Sequence, residues 1–479
     1  MLLAGLLALL AVLGLPTQAD AHGVLRGSEP ASGARLSAVP RFLRLTFNER
    51  VELAVARLEL LGPDGRAVAL SALRRGDSAA VIAADVVGAL SPGTYTVAWQ
   101  IAGRDGHPVR GRFRFSIDSG AAGLGRPAAD TATVTPVIPP VDSTVAPPTG
   151  ARAAVDGAPP VPAATAFDAE SPLYVAVRWL GFVGMLAVIG AVGFGRIALP
   201  AAVRRASGAA WAGAAWAGAA ARGAGGVALA GAALLLLASV LRLVAQSVAL
   251  HGAAWRDPAG LGAMLSGTTW GIAWLLLVAA TLVALVGGAL ARRGTSAGWT
   301  VAALGAFGIA VATALSGHAA GVAGLAPLAV AVDAAHVLGA GGWLGTLLVV
   351  VAVGIPVALG LPADARGRAA ADLVHAFSPL ALACAALVAV TGGISAWLHL
   401  GAVDALWTSA YGRTLLLKLA LLLPVAALGA HHWRRVRPAL GDEAGARGLR
   451  RSSAVELAVG AAVLATTAVL VATPTNVLP

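Results

Sequence analysis

Two hydrophobic rhythms divide this chain. Between residues 22 and 118 apolar and polar positions alternate, as in Arg41-Phe42-Leu43-Arg44-Leu45-Thr46-Phe47 and Arg112-Phe113-Arg114-Phe115-Ser116-Ile117, and turns such as Pro63-Asp64-Gly65 and Ser91-Pro92-Gly93 punctuate the runs. Short strands of period two at regular spacing predict an all-β sandwich. From 172 to 473 the alternation gives way to eight long apolar segments, approximately 173–199, 225–250, 270–290, 298–316, 328–356, 375–398, 413–431 and 454–472. Runs of this length predict an all-α bundle of eight transmembrane helices. Residues 119–171 between the two regions are rich in Ala, Pro, Thr, Val and Gly, with Pro139-Pro140, Pro147-Pro148 and Pro159-Pro160. Such a composition builds no core and reads as an extended tether.

Composition places the chain in a bilayer. Of its 479 residues 58% are hydrophobic and 12% charged, and mean hydropathy is +0.80. A formal charge of +11 would suit nucleic acid, but the arginines fall in short loops between the apolar runs, which is a topology signal instead. With the sandwich outside, the inner loops carry Arg196, Arg204, Arg205, Arg222, Arg292, Arg293, Arg366, Arg368, Arg434, Arg435, Arg437, Arg447, Arg450 and Arg451; the outer loops hold only Arg256 and Arg413. Under the positive-inside rule both termini lie on the outer side of the membrane. The single cysteine, Cys384, excludes a disulfide framework and a thiolate cluster. No P-loop is present, so any transport runs down a gradient or is coupled to redox or protons.

Residues 1–21, MLLAGLLALLAVLGLPTQADA, form an apolar leader ending in the cleavable pattern Ala19-Asp20-Ala21. The leader has no Lys or Arg ahead of its apolar core, which leaves two readings open: a start further upstream, or the Met1 α-amino group as its positive charge. Cleavage makes His22 the first residue of the mature chain. Its α-amino nitrogen and Nδ1 can then grip one ion, a donor pair suited to Cu(II). Further ligands are expected in RDGHPVRGRFRFSI, where Asp105 and His107 stand two apart at the head of an alternating pattern. Three nitrogens and one carboxylate oxygen would close the equatorial plane of Cu(II).

The run HGVLRGSEPASGARL at 22–36 and the phrase SPGTYTVAWQIAGRDGHPVRGRFRFSI at 91–117 resemble the periplasmic copper-binding CopC family. That resemblance implies a Greek-key β-sandwich over 22–118 with His22, Asp105 and His107 as Cu(II) ligands. The family's methionine-rich Cu(I) site is not expected here, because Met1, Met185 and Met264 all fall outside the domain. The segments SGHAAG at 316–321, VDAAHVLGAGGWLG at 332–345, GGISAWLHLG at 392–401 and YGRTLLLKLALL at 411–422 resemble the CopD membrane domain. Together they imply a CopC–CopD fusion that captures copper outside the membrane and passes it to or across the bilayer.

In the predicted topology His251, His318 and His399 lie at the outer ends of spans two, four and six, and His336 lies about two turns into span five with Asp333 on the same face. Ionisable groups in a membrane are costly and point to function, so these five residues form a candidate membrane copper site. A histidine at a helix end can also cap carbonyls or sit at the interface, and that reading stays open for each. His375, His431 and His432 fall on the inner side. Arg178, Arg242 and Lys418 share the outer half with Asp333 and would repel a bare cation. Two other functions compete with copper handling: a copper redox enzyme built on the N-terminal histidine, disfavoured because Asp105 fills the plane, and a haem protein with paired histidines. The chain reads as no enzyme; its expected partners are copper, the lipid bilayer and a periplasmic or extracellular copper donor, with the oligomeric state open.

Overall fold

A computed structural model describes residues 24–104, 106–122, 171–206, 214–322, 324–431, 434 and 443–473. The leader, His22, Asp105, His432 and residues 123–170 of the tether lie outside the described residues.

The alternating region folds as two sheets. One contains β1 (Leu25–Glu29), β3 (Phe42–Phe47), β6 (Arg74–Arg75) and β7 (Val81–Asp85) in the order β1-β3-β7-β6; the other contains β2 (Arg35–Ala38), β4 (Arg57–Leu61), β5 (Ala67–Val68), β8 (Gly93–Ala102) and β9 (Pro108–Ala122) in the order β2-β9-β8-β4-β5. The chain changes sheet after β1, β2, β3, β5 and β7, as a Greek-key sandwich requires. Every second residue of the predicted runs enters the core: Leu43, Leu45 and Phe47 meet Tyr95, Val97, Trp99 and Ile101 of β8 and Phe113, Phe115 and Ile117 of β9. Tyr95 stacks on Phe115 at 5.5 Å, and Trp99 meets Phe47 at 5.0 Å. Gly111 makes room for that indole, since a Cβ there would stand 2.3 Å from Trp99 Cζ2.

Among the described residues eight helices are long and apolar enough to cross a membrane: α1 (Pro172–Arg205), α2 (Ala214–His251), α4 (Thr269–Arg292), α5 (Ser296–Leu315), α6 (Ala326–Leu359), α7 (Ala363–Leu400), α8 (Ala410–His431) and α9 (Glu443–Leu470), with α3 (Pro258–Gly267) a short outer helix. Their outward surface carries exposed Ile272, Leu304, Phe307, Leu382, Val390 and Leu423, the face a bilayer would cover. α1 packs against α2, α5, α6 and α9. Small residues set the closest crossing, where Gly190 of α1 meets Gly345 of α6 so tightly that a Cβ on Gly190 would fall 1.9 Å from the Gly345 carbonyl carbon. Gly341 likewise abuts Ile189, and Gly342 abuts Cys384 of α7.

The sandwich sits on one end of the bundle. Alternation along β8 breaks there, because Gln100 and Ala102 are buried beside the core residues Trp99 and Ile101. Gln100 Nε2 donates to the Leu250 carbonyl at 2.9 Å, and Arg110 donates to the Ala249 carbonyl and to Gln100 Oε1 at 2.8 Å. Val55 and Ala102 join Leu250, Met264 and Trp270 in one apolar cluster. Glu52 accepts from Thr269 Oγ1 at 2.7 Å, placing a carboxylate at the N-terminus of α4. These bonds bring the ends of α2 and α4 under the sandwich, while Arg204, Arg205, Arg292 and Arg293 lie at the opposite end of their helices.

Gly111→Ala forces the Trp99 ring to move and is expected to cost about 1–3 kcal/mol of sandwich stability. Hydrogen exchange of β8 and β9 amides in the full-length protein should accelerate, with α1 to α9 unchanged.

Candidate metal centre

His107 lies in the loop joining β8 to β9, just before the strand starts at Pro108. The sequence pattern had Asp105 and His107 sharing a strand face; His107 instead precedes the strand, with the Gly106 amide donating to the Gly103 carbonyl at 3.0 Å and Gly106 at φ +81°. Two constraints make Gly106 a glycine. That backbone is left-handed, and an added Cβ would meet Trp270 Cγ at 2.8 Å. Gln246 Nε2 donates to the Gly106 carbonyl, and Arg104 Nη1 donates to the Ala320 carbonyl at 2.8 Å. The loop is thereby pinned to α2, to α4 and to the turn His318–Gly321.

The pinned loop carries His107 into a cavity of about 20 Å³ between the sandwich and the bundle, room for one or two water-sized occupants. Tyr174, Arg178, Arg242, Gln246, Trp270, Ser316, Gly317, His318 and Val471 form the rest of its wall. One imidazole from each domain therefore faces the same small space.

Behind the cavity, the His318 and His399 ring centroids are 6.2 Å apart, and Tyr411 lies 6.2 Å beyond His399. Two imidazoles bound to one ion through bonds of about 2.0 Å hold their centroids at most about 6.3 Å apart. The pair meets that limit. His399 is 8% exposed, and its Nδ1 stands 2.7 Å from the Ser395 carbonyl. A carbonyl only accepts, so Nδ1 carries a proton, and in the neutral ring the lone pair is on Nε2. That Nε2 is buried and has no hydrogen-bond partner.

His336 is fixed in the same way. Thr391 Oγ1 gives its hydrogen to the Leu387 carbonyl at 2.6 Å, so it accepts from His336 Nδ1 at 3.0 Å. Ser247 Oγ is likewise spent on the Trp255 carbonyl at 2.6 Å and accepts from His251 Nδ1 at 3.3 Å. An Nδ1–H held by an acceptor, with Nε2 left as donor atom, is the arrangement that metal-binding imidazoles use.

The structure gathers some of the candidate residues and separates others. His107, His318 and His399 lie together at the junction. Asp333 lies beside them, its Oδ2 4.0 Å from where a Gly317 Cβ would be and within electrostatic reach of His399, Lys418 and Tyr411. His336 packs eight residues deeper along α7 than His399, about 12 Å at 1.5 Å per residue. His251 stands apart, against Gly260 of α3 and the Asp257 that caps it. Among the described residues no group of three or more His, Cys, Asp or Glu is placed to hold one ion. Sequence reasoning missed Gln246, Trp270, Arg104 and Glu52, which position the site. A lone amide one turn after Arg242 in an apolar run was the available signal for Gln246.

A β-sandwich fastened to a multi-helix bundle long and apolar enough to cross a membrane defines a two-domain membrane protein with histidines on both sides of the joint. The CopC domain family matches residues 25–118, the family described as Copper resistance protein D-like, N-terminal domain, matches 168–328, and Copper resistance protein D matches 371–470. Copper transport protein CutJ of Bacillus subtilis (strain 168) is 26% identical over 477 residues, covering 97% of this chain and 76% of CutJ. Protein YobA of Escherichia coli (strain K12) is 33% identical over 98 residues, 20% of this chain and 79% of YobA. The crystal structure of CopC from Methylosinus trichosporium OB3b is 26% identical, covers 20% of this chain and 94% of its own, and superposes with a TM-score of 0.19. The chain belongs to the CopC–CopD fusions, a family of copper resistance and transport proteins.

Nitrogen-15 NMR of histidine-labelled protein should show the neutral rings of His336 and His399 as the Nδ1–H tautomer, with Nε2 unprotonated. Thr391→Val removes the acceptor for His336 and should shift that ring alone toward the other tautomer. Unchanged His336 shifts would refute the assignment.

Proposed function

We propose that the sandwich captures Cu(II) through the His22 amine and imidazole, Asp105 and His107, and hands copper directly to imidazoles of the bundle. The observation that supports this is the cavity wall shared by His107 and His318. A metal ion held by His107 can exchange that imidazole for His318 without passing through bulk water. His399 lies next in line at 6.2 Å, and His336 follows two turns deeper.

In this reading the sandwich and both termini face the outside of a bacterial cytoplasmic membrane, and the arginine-rich helix ends face inward. The closed equatorial set of the outer site favours holding copper over oxygen chemistry, so the protein acts as a carrier rather than an enzyme. A copper donor outside the membrane supplies it. His251, held against α3, lies off this path.

Full-length protein loaded with one Cu(II) should give a tetragonal electron paramagnetic resonance spectrum with nitrogen couplings. His107→Ala, or one residue added ahead of His22, should weaken binding by orders of magnitude because each removes a direct ligand. His318→Ala should leave that spectrum intact and abolish the copper-dependent difference in cellular copper content between cells with and without the protein. If His318→Ala behaves as wild type in cells at equal membrane abundance, direct transfer is wrong.

A further inference from the structure

The docked arrangement encloses both imidazoles that the copper path joins. His107 Nε2 and His318 Nε2 are buried, and both side chains line the cavity of about 20 Å³ between the domains. Space of that size holds an ion or a water, not a side chain of a second protein. The loop ahead of His107 lies across this end of the bundle, with Gly106 against the Trp270 ring and Arg104 on the Ala320 carbonyl, in the turn that begins at His318. A copper donor outside the membrane therefore reaches neither Nε2 while the sandwich is down.

The joint is also of a kind that can part. Its fastenings are polar groups that water satisfies equally well: Gln100 on the Leu250 carbonyl, Arg110 on the Ala249 carbonyl, Gln246 on the Gly106 carbonyl and Thr269 on Glu52. Each domain keeps its own core on separation. The cluster that holds Leu43, Phe115 and Ile117 contains sandwich residues alone, and the apolar cluster at the joint takes only Val55 and Ala102 from the sandwich.

We propose that the sandwich is a removable cap with two working positions. Docked, it joins His107 to His318 and closes both to the outside; lifted, it presents His107 to a copper donor. Opening of one unit while the rest stays folded is the ordinary behaviour of a joint with few buried apolar contacts. The cap is read from geometry; only the allocation of loading to the lifted position and transfer to the docked one rests on the function proposed above.

The test of the cap uses full-length protein without copper. An added Cβ at Gly267 of α3 stands 2.7 Å from Ala54 Cβ across the joint, so Ala54→Cys with Gly267→Cys can form a disulfide after a small separation. Diethyl pyrocarbonate modification of His107 and His318, read by mass spectrometry, should proceed in the reduced protein and fall to background in the oxidised one. Equal rates in the two forms, or no modification in the reduced form, overturn the proposal. Should the bridge fail to form, Glu52→Ala combined with Gln100→Ala decides: loss of these two fastenings should speed modification of both histidines roughly tenfold, and an unchanged rate overturns the cap. The same variant should take up Cu(II) faster than wild type by electron paramagnetic resonance, and equal uptake overturns the loading role. Because the modification is read without metal, a wrong copper assignment leaves that result untouched.

Discussion

The arrangement depends on helix ends that the bundle cannot satisfy by itself. An α-helix leaves its last carbonyls and first amides unpaired, and at this end of the bundle the sandwich supplies the missing partners. Gln100 and Arg110 cap the carbonyls of Leu250 and Ala249, the negative end of the α2 dipole, and Arg104 caps Ala320. Glu52 does the converse at the start of α4. A tether gives an attached domain an effective concentration near the millimolar range, so about 4 kcal/mol of contact energy is enough to keep it docked. Several hydrogen bonds to charged groups, each about 1.5–3 kcal/mol, together with the apolar cluster around Trp270, exceed that threshold.

Docking explains features that neither domain explains alone. Gln100 and Ala102 would face solvent on an isolated sandwich, yet they are buried. Gly106 needs its left-handed backbone for the turn, but the close approach of Trp270 excludes a side chain as well. The same loop therefore carries the histidine and meets the bundle, so the position of His107 relative to His318 is set by packing rather than by the length of the tether. Loosening the joint would cost geometry at the cavity before it cost stability in either domain.

Much of this was legible in the sequence. Period two along Phe42 to Phe47 and Phe113 to Ile117 marked the sandwich core, and apolar length marked all eight spans. Topology alone put His251, His318 and His399 at one end. What periodicity does not contain is the order of helices around the bundle, so it did not separate His251, beside α3, from the facing pair His318 and His399. The D-x-H motif was read as the head of a strand; His107 lies ahead of that strand, which starts at Pro108, and the positive φ of Gly106 before it is not written in the alternation. Gln100, Arg104 and Arg110 carry no mark of their role in the sequence, because polar groups that cap another domain's helix ends have the same composition as polar groups in water.

The histidines of the bundle are also prepared before any ion arrives. Ser395, Thr391 and Ser247 each take an Nδ1 proton, and each acceptor sits on a helix already fixed by packing. The Nε2 lone pairs are therefore set by secondary structure and need no rearrangement on binding, which lowers the entropic cost of ligation. In the transfer reading proposed above, the pair at 6.2 Å is a two-imidazole station, which would hold an ion less tightly than three or four ligands and so release it to the next imidazole.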